Sequence, residues 1–194
     1  GLTVSFIAVH FVVNLPDQPD DKRADYAIHY TVAVALLGLT VIILSISANF
    51  ISTLNRIGDG HFAILALPVA AASAFYALRD FLVRVAYSER RELVVLFSSI
   101  AVAGGLGLWY LGLYLVGVAP TSRHALIAYA AGQATGCLAA LGMLRLPWRH
   151  LHWRGVCRAF RDAWPGGRWN VLTNMVYTLR TQAHNFVVGP LLGA

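Results

Sequence analysis

Four apolar runs dominate the chain, at 30–51, 61–78, 93–117 and 125–144, and none contains Asp, Glu, Lys or Arg. Each reaches or approaches the roughly 20 residues that a helix needs to cross the hydrocarbon of a bilayer. Charged positions all lie outside these four runs. Backbone groups have no water to pair with inside a bilayer, so such runs predict helices rather than open strands. Two further runs are partial: Leu2–Leu15 is too short to cross comfortably, and 171–194 is apolar with one polar face.

That polar face is the most informative pattern. At about 100° of rotation per residue, Thr173, Asn174, Tyr177, Arg180, Thr181, His184 and Asn185 fall within roughly 140° of arc. Leu172, Met175, Val176, Leu179, Ala183, Phe186 and Val187 take the other side; Thr178 and Gln182 break the pattern. A charge inside a span costs roughly 2.5–3.5 kcal/mol on the permissive insertion scale, so Arg180 is expected to face a wet or protein-lined interior. Such a face suits a protein that carries polar or anionic cargo across a membrane.

Composition sharpens the class. Charged residues make up 12% of the chain and hydrophobic ones 58%, with a mean hydropathy of +0.62. A soluble domain carries about a quarter charged residues, so the expectation is an all-α, polytopic helical bundle in a membrane. The net charge of +6 does not point to nucleic acid, because the basic residues gather at span edges. Segments 16–29, 79–92 and 145–170 hold twelve Lys and Arg, against Arg56 and Arg123 in the intervening loops. By the positive-inside rule this alternation places those three segments in the cytoplasm. Cys137 and Cys157 suggest neither a disulfide framework nor metal-ligand spacing. The chain opens on Gly1 inside an apolar run and closes on Ala194 without a polar stop, which reads as an internal piece of a longer transporter.

The organisation expected is a first group of membrane helices over 1–144, a basic linker at 145–170, and the first helix of a second group over 171–194. Within the linker, Trp153, Val156, Cys157, Phe160, Ala163 and Trp164 share one helical face, flanked by Arg154, Arg158 and Arg161. This predicts a helix lying in the headgroup layer with its arginines near anionic lipid. Pro165-Gly166-Gly167 ends it.

Two stretches carry a resemblance. "ALRDFLVRVAYSERRE", from Ala77, resembles the R-x-F-x-R-R-x-x-x-A segment after the fourth span of bacterial polysaccharide flippases, with Val83 standing where a second arginine is common. "GRWNVLTNMVYTLRTQAHNFVVGPLLGA", from Gly167, is similar to the opening of their seventh span, with its Gly-x-Trp entry, Leu-Arg-x-Gln centre and Gly-x-Leu-Leu-Gly-Ala exit. The family is the O-antigen and exopolysaccharide transporter branch of the multidrug, oligosaccharidyl-lipid and polysaccharide exporter superfamily. The resemblance implies two six-helix lobes, alternating access, and export of a lipid-linked oligosaccharide from the inner leaflet of the bacterial inner membrane. The spans here would be the second to the sixth and the start of the seventh, and 145–170 would join the lobes. Polysaccharide polymerase and assembly proteins would be its partners, besides membrane lipids.

Arg180 and His184 stand at i and i+4, where side chains meet. The arginine's planar fork suits pyrophosphate or acidic sugars; its alternative is structural pairing elsewhere in the transporter. His184 is a candidate for a coupling proton, and Tyr177, Thr173 and Asn174 could hydrogen-bond sugar hydroxyls. Asn49 either lines the same cavity or caps its helix. His10 and Asn14 share a face of the first partial span. Gln133 is expected to hydrogen-bond a neighbouring helix. Gly104, Gly105, Gly107 and Gly112 suit close helix packing, not a phosphate loop. No cofactor or metal is expected beyond a coupling ion, H+ or Na+. His150 and His152 in the basic segment suit headgroup contact. Without a His-x-x-x-x-Asp, His-Glu-x-x-His or Asp-x-Asp pattern, an enzyme of polysaccharide assembly is the lesser reading. A multidrug or peptidoglycan-precursor exporter is the nearer alternative, although a drug antiporter would be expected to carry an acid in a first-lobe span.

Overall fold

The computed structural model describes residues 2–15, 18–55, 61–165, 168, 169, 173 and 176. The described chain is all-α: α1 (Leu2–Asn14), α2 (Asp20–Asn55), α3 (His61–Ser88), α4 (Glu92–Val116) and α5 (Ser122–Leu144) are followed by a 3-10 turn at Trp148–His150 and a helical stretch over 153–165. Among the described residues, four helices are long and apolar enough to cross a membrane, over Lys22–Ala48, Leu65–Ser88, Glu92–Val116 and Ser122–Leu144. This is a helical membrane protein. The expected runs are therefore found, but the helices overrun them. Segments 16–29 and 79–92, expected as loops, are largely helical, since α2 already starts at Asp20 and α3 continues to Ser88. Helical backbone needs no apolar sequence, so charged residues extend the helices past the hydrocarbon.

Local chemistry sets the ends. Thr121 caps α5 by accepting a hydrogen bond from the His124 N–H at 3.3 Å, while the Thr121 N–H donates back to His124 Nδ1 at 3.3 Å. A histidine here fills the place usually held by Glu or Gln in a capping box. Gly117 closes α4 in the left-handed region (φ 72°), where its N–H reaches the carbonyls of the last turn. Pro68 lies inside α3, a position tolerated in membrane helices where neighbours re-pair the freed carbonyl.

The helices pack in the order α4, α5, α3, α2, with α1 set against α2 and α3. Close approach of α4 and α5 depends on glycine. A Cβ at Gly132 would sit 3.0 Å from Leu106 Cγ and from the Val102 carbonyl, and one at Gly105 3.1 Å from Gly132 Cα. The small-residue reading thus holds for Gly105, while Gly104, Gly107 and Gly112 have nothing within 4 Å. Phe11, Tyr26, Tyr30 and Phe81 form an aromatic cluster, with Phe11 and Phe81 5.0 Å apart edge-on. Around it lie Ile7, Ile28, Val34, Leu82 and Val85, and from the linker Val156, Ala159 and Ala163.

The helix over 153–165 corrects the sequence reading in part: Val156 and Ala163 of the expected face are buried, Ala159 joins them, and the rest of that face is not buried. Val156, Ala159 and Ala163 are buried against the bundle, whereas Trp153, Cys157 and Trp164 are exposed. The face chosen for packing is the one with small side chains, since these let the helix approach; the tryptophans flank it. Contacts across the turns bring the N-terminal part of α2, the α3–α4 turn and the linker to one basic end. Arg91 Nη1 donates to the Leu144 carbonyl at 3.1 Å, and Asp25 meets His150 there. Arg123 starts α5 at the opposite end.

Candidate functional site at the basic end

The first turns of α2 present Lys22, Asp25, Tyr26, His29 and Tyr30, positions that share a face by their i, i+3 and i+4 spacing. Opposite them, the linker presents Gly155, Arg158, Ala159 and Asp162 with the same spacing. Between the two faces lies a cavity of about 340 Å³, which Gln18 and His152 also line. Two cations, two carboxylates, two imidazoles and two phenols therefore converge at a junction formed by residues more than a hundred positions apart.

Two histidines clasp the junction. His29 Nδ1 lies 2.6 Å from the Asp25 carbonyl, an acceptor only, so Nδ1 carries the proton and Nε2 is left as acceptor. Nε2 faces His152 Nδ1 at 3.1 Å and the His152 backbone N–H at 3.4 Å. His152 Nδ1 also lies 2.9 Å from the His150 carbonyl, so its N–H is shared between that carbonyl and His29. The tautomers follow from these partners. The rings meet edge-on with centroids 4.4 Å apart. A second strap lies outside the first, where His150 Nδ1 is 2.6 Å from Asp25 Oδ1. Gly155 makes the clasp possible: a Cβ there would collide with the His29 imidazole. In the wall, the Tyr26 hydroxyl donates to that of Tyr30 at 3.0 Å, and His10 stacks on Tyr30 at 6.0 Å between centroids. Asn14 Nδ2 donates to the His10 carbonyl at 2.7 Å and to His10 Nδ1 at 3.2 Å, so these two do share a face. Such a cavity can hold a small polar group, and the paired imidazoles can hold or pass a proton. Among the described residues, no three His, Cys, Asp or Glu side chains are grouped to hold a metal.

A second polar centre lies deeper. Arg79, expected in a loop, belongs to α3 and reaches across α5 to α4. Its Nε donates to Ser98 Oγ at 3.0 Å and its Nη2 to Ser99 Oγ at 2.9 Å. Ser98 Oγ in turn donates to the Gly136 carbonyl at 3.0 Å. A Cβ at Gly136 would meet Val102 Cγ2 at 2.5 Å and the Arg79 Cδ and Nε at 3.0 and 3.1 Å.

The residues proposed from sequence are mostly not described. Asn174, Tyr177, Arg180 and His184 lie outside the described residues. Thr173 is helical and exposed, and Asn49 belongs to α2 with its side chain outside the description. The expected partner of Gln133 is not seen: its Oε1 is buried and has no hydrogen-bond partner among the described residues. Sequence reasoning missed the His29–His152 pair and assigned His150 and His152 to lipid headgroups. One signal was available in Gly155, a helix-weakening residue inside an otherwise continuous helical pattern, which marks a close approach.

No protein-family model, curated protein or solved structure matches the chain.

Proposed function

We propose that this chain is part of a bacterial inner-membrane exporter that carries a lipid-linked oligosaccharide across the bilayer by alternating access. The observation that carries the reading is the polar face of 171–185, centred on Arg180 in an otherwise apolar segment. A guanidinium there is expensive unless it faces a watery or anionic interior, and its fork of donors matches the diphosphate or acidic sugars of such a cargo. The resemblance of the Ala77 and Gly167 stretches to polysaccharide flippases supports the same class. The concentration of Lys and Arg at one end supports a cytoplasmic location for that end.

The test is transport of a fluorescent lipid-linked oligosaccharide by the full-length protein in proteoliposomes. Arg180→Ala is expected to lower the rate at least about tenfold, the size of one lost charge-assisted contact, with Arg180→Lys intermediate and membrane insertion unchanged. Wild-type rates in Arg180→Ala would refute the role. Labelling of a cysteine placed at position 154 by an impermeant reagent outside intact cells would reverse the orientation.

A further inference from the structure

An apolar groove lies between α3 and α5, and a cation stands one helical turn beyond it on α3. The groove is a cavity of about 280 Å³ lined by Val69, Ala72, Ser73 and Tyr76 from α3 and by Leu126 and Tyr129 from α5. The cation is Arg79, one helical turn beyond Tyr76, lying over Gly136, two turns beyond Tyr129 on the same face of α5. Between them on the α5 stripe is Gln133, whose buried Oε1 lacks a partner among the described residues.

The guanidinium is the unusual part. Its partners are two neutral hydroxyls, and no carboxylate pairs with it among the described residues. Two serines occupy two of its five N–H donors, leaving the others and the full positive charge. Ser98 and Ser99 lie six and seven residues inside α4, roughly 10 Å from its charged end at 1.5 Å per residue. A guanidinium placed a few residues inside an apolar span snorkels towards the phosphates of the nearer leaflet. A cation there, beside the exposed Ser99 and one helical turn from an apolar groove, complements an amphiphile with an anionic head.

We propose that this groove is a binding site for one anionic phospholipid from the leaflet at the basic end, its phosphate on Arg79 and Ser99 and an acyl chain along Ser73, Tyr76 and Tyr129. The proposal does not depend on the transport reading. Phosphate bound there ties α3 to α4 across α5, and so stabilises the arrangement of three helices.

Native mass spectrometry of the full-length protein, titrated with phosphatidylglycerol and with phosphatidylcholine of the same acyl chains, tests this. The wild type is expected to retain phosphatidylglycerol with a roughly tenfold preference, the size of one charge-assisted contact. Arg79→Gln removes the preference. Ser99→Asp places a carboxylate beside the guanidinium at an exposed position, and it is expected to remove the preference while leaving the Arg79–Ser98 link and the gel-filtration profile intact. Ser73→Phe, which fills the groove, lowers retention of both lipids. Equal retention of the two lipids by the wild type, or an undiminished preference in Ser99→Asp, overturns the site even if Arg79→Gln does not fold.

Discussion

At the basic end of the bundle, Phe11, Tyr30 and Phe81 are sealed among helices, and even the linker contributes a buried row of small residues. Along the far parts of α2 and α4, Ile43, Leu44, Phe50, Leu108, Leu115 and Val116 stand exposed. Within an apolar stretch of 18 residues, 11% are buried in α4 against 39% in α5. The two regions use one alphabet of apolar residues for opposite purposes. Where water reaches the helices, an apolar side chain gains by leaving it, so large side chains turn inward. Where lipid surrounds them, inside and outside are equally apolar, and burial of bulk brings little. Helices there associate through small residues and hydrogen bonds, as Gly105, Gly132 and Gly136 do between α4 and α5, and Arg79 does across three helices.

Substitutions can break or sharpen this contrast. The largest effect is expected for Phe81→Ala, at the centre of the aromatic cluster, which costs about 3–5 kcal/mol in unfolding free energy. Denaturant unfolding of the purified protein in micelles measures it, and a loss below about 1 kcal/mol would show that the basic end is not the stabilising core. Gly155→Ala follows, because its methyl group drives the linker from His29. Overpacking of this kind costs about 1–3 kcal/mol, and it should free the linker to proteolysis before the bundle unfolds. Gly104→Ala is the counterpart in the lipid-facing part. With open space at the site, it should raise stability by about 0.5–1 kcal/mol through helix propensity alone. Smallest is Leu108→Ala, on the exposed face of α4, which should change stability by less than about 0.5 kcal/mol despite removing as much apolar volume as a core truncation. A core-sized loss there would mean that α4 packs against protein rather than lipid.

Membrane class, helical fold and the approximate positions of four spans were all legible in the sequence. They depend on length and on the exclusion of charge, properties that need no knowledge of neighbours. The gathering of basic residues at one end followed as well, because short connections force successive spans to alternate in direction. Less legible were helix limits, since charged residues such as Arg79 and Arg84 continue a helix as readily as they form a loop. The face of the helix over 153–165 was read only in part for a related reason: periodicity found Val156 and Ala163, but Ala159 prevails over Trp153 and Trp164 only when a partner surface is already in place.

What the sequence determined by itself was the solvent for each segment, read from the free energy of moving charge out of water. Only the tertiary structure decided which polar groups meet. His29 finds His152 across 123 positions, and Arg79 finds two serines on α4 rather than an acid. Such pairings are set by how helices approach and by a glycine at the point of contact, a geometry that exists only once the bundle has assembled.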